Sequence, residues 1–316
     1  MTKKLTILFL AATILFAGCK KDSLPGGPKG PQIPEQISFS EHNLFPEGLA
    51  YDPVHNWFYV SSVAFGTVGV VTTDGVWKPV VTDNKLTSTT GLKVDKAHHR
   101  LWVCNVEGGI GAYDLNNGQR LFYTDLSTLL PGEPLFMNDE VIAPDGNAYV
   151  TSSAAPVIFK VDQNGNASVF FKDDAFAVNP DEFGFNGIQY NAAGYLLVAH
   201  TALNQVIKIP VNNPSGYKAV KLDASLSFPD GILLSKDGKQ LVVVSDDKVL
   251  SFISNDQWNN ASLSTSFTTG PVFATSLTSD GKRVYVVYCH LDKLLSGQDQ
   301  DDYTIQEVPL KSPAKF

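Results

Sequence analysis

The sequence predicts an all-β protein, a six-bladed β-propeller closed by an N-terminal strand that completes the last blade. Three observations carry that prediction: a two-run apolar block recurs six times, its step is nearly constant, and the same Gly-containing turns punctuate it.

The paired runs are 45–52 with 57–62, 89–95 with 101–105, 137–143 with 148–153, 185–191 with 195–200, 229–235 with 241–245, and 273–278 with 284–288. The inner runs are headed by Glu47, Thr90, Asn138, Asn186, Asp230 and Phe273, in steps of 43, 48, 48, 44 and 43 residues. Short strands repeating every ~40–50 residues are the signature of propeller blades, whereas a β-sandwich has many strands but no unit of fixed length. Asp74-Gly75, Asp145-Gly146, Asn164-Gly165, Asp237-Gly238 and Asp280-Gly281 are hairpin dipeptides, since these residues tolerate the positive φ such turns demand. The run 303–309 supplies a third strand after the sixth block, and residues 36–41 alternate like a strand ahead of the first. Pairing them closes the ring and covers an edge that would otherwise be open to aggregation. The expected domain is therefore a single unit, residues 36–316.

With 43% hydrophobic and 18% charged residues, the chain of 316 has the apolar material for a core. A formal net charge of -8 argues against a nucleic-acid surface, which needs clustered Lys and Arg to displace counterions. Ahead of the repeats, Met1, Thr2, Lys3 and Lys4 precede an apolar run over 5–17, too short to span a bilayer and shaped like an export signal. Leu15, Phe16, Ala17, Gly18 and Cys19 resemble the bacterial lipobox, which implies a lipoprotein signal peptide over 1–18 and lipidation of Cys19. Residues 19–35, rich in Pro and Gly from Pro25 onward, read as an extended tether. The implied location is the cell envelope, lipid-anchored at the outer membrane on its periplasmic or surface side, with the lipid as the only membrane contact. Cys104 and Cys289 have neither a CxxC partner nor a His spacing suited to zinc, and both read as buried strand residues.

In a propeller the heads of the inner strands form a ring around one mouth of the axis. Glu47, Asn138, Asn186 and Asp230 can all present oxygen there, a hard donor set suited to one divalent cation, Ca²⁺ first, with Mg²⁺, Mn²⁺ or Zn²⁺ as alternatives. Asn and Asp before Gly also initiate turns, and that reading covers Asn186-Gly187 and Asp230-Gly231 equally well. Glu47 resists it, because Glu has no turn role.

Pro46-Glu47-Gly48, Asn138-Asp139, Asn186-Gly187 and Pro229-Asp230-Gly231, in blades one, three, four and five, resemble the signature of the gluconolactonase, regucalcin and luciferin-regenerating-enzyme family of six-bladed propellers. The resemblance runs from about Phe45 to Tyr288. It implies Glu47, Asn186 and Asp230 as metal ligands and Asn138 as a catalytic or substrate-orienting residue beside the metal. One position departs from the pattern: where the sugar-lactone hydrolases carry an Arg two residues before the blade-three Asn, this chain has Phe136, which favours a less polar substrate or no catalysis. The second runs end toward the same mouth with Asn105, Ser153, His200, Asp246 and His290, so Asn105, Phe136, Asn138 and His200 are candidate substrate contacts, and His200 a candidate base or shuttle.

The implied chemistry is metal-dependent hydrolysis of a small-molecule lactone or ester, with Asp230 taking the proton of the attacking water. No Gly-x-Ser-x-Gly elbow, P-loop or dinucleotide fingerprint points to another reaction. The rival expectation is a non-catalytic propeller that binds a carbohydrate, a peptide or a partner protein, since propellers serve both roles. In either case the chain is expected to act as a monomer. The acidic stretch 299–302 reads as a solvated loop.

Overall fold

The computed structural model describes residues 33–311 and 314–316. The expected signal peptide, Cys19 and nearly all of the expected tether lie outside the described residues. Among the described residues, no helix is long and apolar enough to cross a membrane.

Six antiparallel sheets form the body. Their inner strands are Leu49–Asp52, Thr89–Asp95, Met137–Ile142, Phe185–Asn191, Pro229–Leu234 and Ala274–Ser279. Each inner strand lies beside that of the next blade, and the sixth returns to the first, so the ring is closed. Blade five carries one extra short strand, Lys221–Leu222, parallel to its outer edge. The last blade is built as expected: Gln36–Ser40 pairs antiparallel with Asp302–Val308, placing Ile37 opposite Ile305 and Phe39 opposite Tyr303.

The middle strands read as continuous apolar runs because both of their faces are buried. Side chains alternate along a strand, so Leu196 and Val198 pack toward blade three while Leu197 and Ala199 pack toward blade five. Likewise Val242 and Val244 face blade six, and Leu241 and Val243 face blade four. Six hydrophobic clusters result, one between each pair of neighbours. The five hairpin dipeptides behave as read, with φ of 72° to 93° at Gly75, Gly146, Gly165, Gly238 and Gly281.

Two details add to the sequence reading. Ile33, three residues ahead of the expected start of the domain, is buried between blades six and one, and its carbonyl accepts from Arg283 Nη1 at 2.7 Å. A short helix, Leu291–Leu295, follows the second strand of blade six. The acidic stretch is an exposed loop, as expected, and its carboxylates are hydrogen-bonded. Asp299 accepts from Asn43 Nδ2 at 2.8 Å, Asp301 pairs with His42 Nδ1 at 2.8 Å, and Asp302 accepts from Ser40 Oγ at 2.6 Å. It clasps the first strand to the last. Cys104 and Cys289 are free and buried, as expected.

Closure of the ring therefore depends on a strand only five residues long whose buried side chains are Ile37 and Phe39. Phe39 packs against Tyr303 with ring centroids 5.7 Å apart. Phe39→Ala is expected to lower unfolding free energy by about 3–5 kcal/mol, the usual cost of emptying a Phe-sized core position, read from urea denaturation; a loss below about 1 kcal/mol would show that the body is stable without its closing strand.

Candidate axial site

Each inner strand begins with a β-bulge. In blade two, Thr89 pairs with Asn105 and Leu92 with Val103, so three steps on the inner strand match two on its partner; blades three to six repeat the pattern. Blade one does the same through backbone bonds, with Val63 N–H donating to Phe45 O and Ser61 N–H to Gly48 O. A bulge re-aims the side chain it carries, and here it falls on Glu47, Thr90, Asn138, Asn186 and Asp230. The sixth position is Thr275, which corrects the reading of Phe273: Cys289 N–H donates to Phe273 O just as Ser153 N–H donates to Phe136 O, so Phe273 stands two residues before the ring.

The glycines after the ring residues are not there for turns. Gly48, Gly187 and Gly231 are absent from the positive-φ set, and what they provide is room. A Cβ on Gly48 would lie 2.0 Å from Thr90 O, one on Gly187 2.5 Å from Asp230 O, and one on Gly231 2.5 Å from Thr275 O. At these three contacts adjacent inner strands approach too closely for a side chain, which settles the turn-chemistry alternative. Threonines fix the same backbone: Thr90 Oγ1 donates to Met137 O (2.9 Å), Thr151 Oγ1 to Asn186 O (2.8 Å), Thr201 Oγ1 to Pro229 O (2.8 Å) and Thr275 Oγ1 to Glu47 O (2.7 Å).

The ring so built is short of hydrogen bonds. Glu47 is only 7% exposed, and its Oε2 has no partner. Asn186 donates through Nδ2 to Thr201 Oγ1 at 3.2 Å, while its Oδ1 has none. Burial, followed by the charges of Asp230 and Asp139, holds the Glu47 carboxyl well above its ordinary range. Burial and then Asp139 push Asp230 up to about 8, against hydrogen bonds from Asn186 and the Gly231 N–H. Asn138 is buried alongside.

The sequence reading missed a second group of charges. Lys93, on the inner strand of blade two, donates to Asp139 Oδ1, and Ile188 N–H donates to Asp139 Oδ2 at 3.2 Å. Burial works against the Lys93 charge, and the carboxylates of Asp139 and Glu140 more than offset it, raising its pKa. Glu140 is wholly buried, accepts from the Cys104 thiol at 2.9 Å, and leaves Oε1 unpartnered; burial pushes it up to about 8 against the pull of Lys93. Two signals could have found the group: a charged residue inside an apolar inner run, and Asp139 standing where four other blades have Gly.

Several expected contacts are used elsewhere. Asn105 Oδ1 accepts from Thr87 and Ser88 N–H at 3.0 and 3.2 Å, and its Nδ2 donates to Tyr123 (3.1 Å). It pins a loop and presents nothing to a ligand. His200 is fully buried against Phe176 and Phe185; Nε2 meets Phe176 O at 3.2 Å and Nδ1 accepts from Leu203 N–H at 3.3 Å. With both nitrogens occupied and its charged form disfavoured by burial, it is a core histidine and not a shuttle. Ser153 donates to Phe185 O at 2.7 Å, while Asp246 and His290 take left-handed turn positions with φ of 56° and 57°. Phe136 is half-buried on the rim, edge-on to Phe183 at 5.5 Å. A separate cavity of about 500 Å³ between the outer parts of blades one and two, lined in part by Asp83, Tyr113 and Arg120, contains no ring residue.

The donor set suits a hard divalent ion. The ring carries the two carboxyl groups of Glu47 and Asp230 and the Asn186 amide, and leaving Glu47 Oε2 and Asn186 Oδ1 buried without a partner is costly. Among the described residues no group of three or more His, Cys, Asp or Glu is arranged to hold a metal, so a cation here would lean on the Asn186 amide as well. Zinc, which favours nitrogen and sulfur, fits this set less well.

Fold and site together define a six-bladed propeller with an oxygen-rich axial ring. Among solved structures, the chain resembles the major allergen Mala s 1 of Malassezia sympodialis (TM-score 0.70, 19% identity, covering 89% of this chain and 98% of that one). It also resembles the gluconolactonase from Xanthomonas campestris (0.61, 16%, 87% of each) and a luciferin-regenerating enzyme (0.63, 12%, 89% and 98%). These agree with the expected architecture, and at such identities they establish the fold. Curated relatives are the uncharacterised protein YncE of Salmonella typhi, 26% identical over 242 residues, and that of Salmonella typhimurium, 28% identical over 242; the match covers 75% of this chain and only 65% of their length. No family model matches the chain.

The raised carboxyl pKa values have a consequence for stability. Glu47, Asp230 and Glu140, ordinarily near 4.5, 3.8 and 4.5, keep their protons in the folded state where the unfolded chain releases them. Their stabilising contribution is present below about pH 4 and is lost as pH rises, toward about 8 for Asp230 and Glu140. His200, with its lowered pKa, acts in the opposite sense, so comparison with a variant is needed. In the presence of a chelator, Tm is expected to fall between about pH 5.5 and 8.5 more steeply in the wild type than in Glu47→Gln/Asp230→Asn; equal slopes would mean that these carboxyls are not protonated in the folded protein.

Proposed function

We propose that the axial ring holds one divalent cation, Ca²⁺ in the first instance, and hydrolyses a small-molecule lactone or ester. The observation that carries this reading is that Glu47 Oε2 and Asn186 Oδ1 are both buried without a partner in a ring that also bears Asp230. Glu47, Asn186 and Asp230 would hold the ion. When bound, a divalent cation polarises a carbonyl oxygen and acidifies a nearby water.

The chain's own part is positioning and proton transfer. Asp230, with its proton affinity pushed up to about 8, is a stronger base than an ordinary carboxylate. It accepts the proton of a water whose oxygen forms the new bond to the carbonyl carbon, then returns it to the departing alkoxide as the ester bond breaks. A ligated cation reduces that basicity, so the same residue balances two demands. Asn138, neutral and buried beside the carboxylates, orients the substrate.

Calorimetric titration of Ca²⁺ into wild type, Asp230→Ala and Asn138→Ala, paired with a pH-indicator assay over lactones and esters, tests this. Asp230→Ala is expected to weaken Ca²⁺ binding by at least about 100-fold and to abolish turnover, because one carboxylate no longer balances the ion. Asn138→Ala is expected to retain the ion and lose about 10- to 100-fold in kcat/KM. Metal binding that survives Asp230→Ala removes the ligand assignment. Metal binding without turnover of any ester or lactone gives the site to the rival reading, a binding module for a carbohydrate, peptide or partner protein.

The reading includes an envelope location, with Cys19 lipidated and the propeller held on its tether. Cys19→Ser is expected to move the protein from the membrane to the soluble fraction or leave its signal uncleaved; membrane fractionation like wild type, with normal processing, would refute the anchor.

A further inference from the structure

The ring residues are preceded, two positions earlier, by a second set of equivalent sites. Blades one, three, five and six carry Phe there, as Phe45, Phe136, Phe228 and Phe273, and blade four has Phe183 next to the equivalent Gly184. Phe45 accounts for the structural use of this residue: it is buried and meets Tyr303 edge-on at 6.2 Å. The others do not repeat that role. Phe228 is 66% exposed, Phe183 46% and Phe273 41%. Among the described residues, the four exposed phenylalanines, these three and Phe65, all lie in loops at the end where inner strands begin and second strands finish. That is the end on which the ring opens.

Two further facts separate this crown from scattered surface apolar residues. Phe228 and Phe273 have φ of 45° and 47°, a left-handed backbone that disfavours bulky side chains and that Gly or Asn would adopt at less cost. Neither recovers that cost by packing in the core, as Phe45 does at φ 48°. The Phe228 backbone is also fixed, with its N–H donating to Asn204 Oδ1 at 2.7 Å. The backbone thus sets these apolar side chains around a mouth whose floor is polar, with carboxylate and amide oxygens lacking partners.

We propose that this phenylalanine crown is the apolar half of the substrate site, and that the protein selects lactones or esters bearing an alkyl or aryl group over polyhydroxylated ones. The carbonyl end reaches the axial oxygens while the apolar group lies against Phe136, Phe183, Phe228 and Phe273. This rests on the hydrolytic reading of the axis. A sugar lactone would need donors and acceptors where the crown offers ring faces, and each unpaired hydroxyl placed there would lose its water.

The test uses γ-lactones with alkyl substituents from methyl to hexyl, with glucono-δ-lactone as the polar comparison. In the wild type, kcat/KM is expected to rise roughly threefold to fourfold for each methylene that the crown covers, and glucono-δ-lactone to be the poorest substrate. Phe228→Ser/Phe273→Ser is expected to flatten the dependence on chain length. A second measurement does not need turnover: the neutral amphiphile N-phenyl-naphthylamine is titrated by fluorescence into the full chain. It is expected to bind wild type and Asp230→Ala alike, to bind the double Phe variant at least about tenfold more weakly, and to be displaced by the hexyl lactone. Probe binding of this pattern without hydrolysis of any lactone removes the hydrolase reading and leaves the crown as an apolar ligand site. Turnover that does not depend on chain length, or probe binding unaffected by the Phe variant, overturns the crown and leaves the axial chemistry standing.

Discussion

At the axis a Cβ on Gly48 would sit 2.0 Å from the Thr90 carbonyl, and Gly187 and Gly231 face the next blade's backbone almost as closely. This contact between neighbouring inner strands is the constraint from which the rest follows. Six strands can surround one axis only if their starts converge, and at Gly48, Gly187 and Gly231 convergence leaves no space for a side chain on the flank that meets the neighbour. The bulge resolves the geometry. It adds one residue per strand, turns the preceding side chain toward the axis, and in four of the six blades places glycine at the contact. Every ring residue is therefore aimed by the same backbone device that lets the blades close.

The convergence has an electrostatic cost. Bringing Glu47, Asp139, Glu140 and Asp230 into one region sets four carboxyl groups against the single ammonium of Lys93, which is engaged with Asp139. Buried like charges either take up protons or recruit a cation. Protonation appears as the upward shifts of Glu47, Glu140 and Asp230; a divalent ion is the alternative that would also fill the empty hydrogen-bonding positions of Glu47 and Asn186. Proton uptake and the proposed cation binding would compete for the same oxygens, so pH sensitivity and metal affinity would be two aspects of one imbalance.

Most of the fold was legible because it is repetitive. Six blocks, a steady step and five Asp-Gly or Asn-Gly turns each report the same architecture, and the two-faced burial of strands such as Tyr195–His200 explains why their sequence is unbrokenly apolar. The ring was legible to within one position. Phe273 misled because strand onset was read from hydrophobicity, while the true register is set by a bulge that adds a residue without changing polarity. Asn105 and His200 misled for a different reason: a polar residue at a strand end near a mouth can equally serve the backbone, and only its hydrogen bonds tell. Lys93, Asp139 and Glu140 were hidden because their significance lies in pairing across blades 46 or more residues apart in the chain, as Lys93 with Asp139, and strand spacing within one blade does not reveal it.

The six equivalent ring positions divide their labour. Blades one, three, four and five present Glu47, Asn138, Asn186 and Asp230, all long enough and polar enough to serve a ligand. Blades two and six present Thr90 and Thr275, whose hydroxyls donate to Met137 O and Glu47 O, the backbone of site-bearing neighbours. A hydroxyl close to its own backbone is well placed to clasp an adjacent carbonyl and poorly placed to reach the axis, so the threonines stabilise the frame in which the longer side chains act. The same position thus serves the frame in two blades and holds a longer polar side chain in four. That asymmetry within a symmetric ring is what a purely architectural propeller would not require, since identical threonines could close all six interfaces equally well.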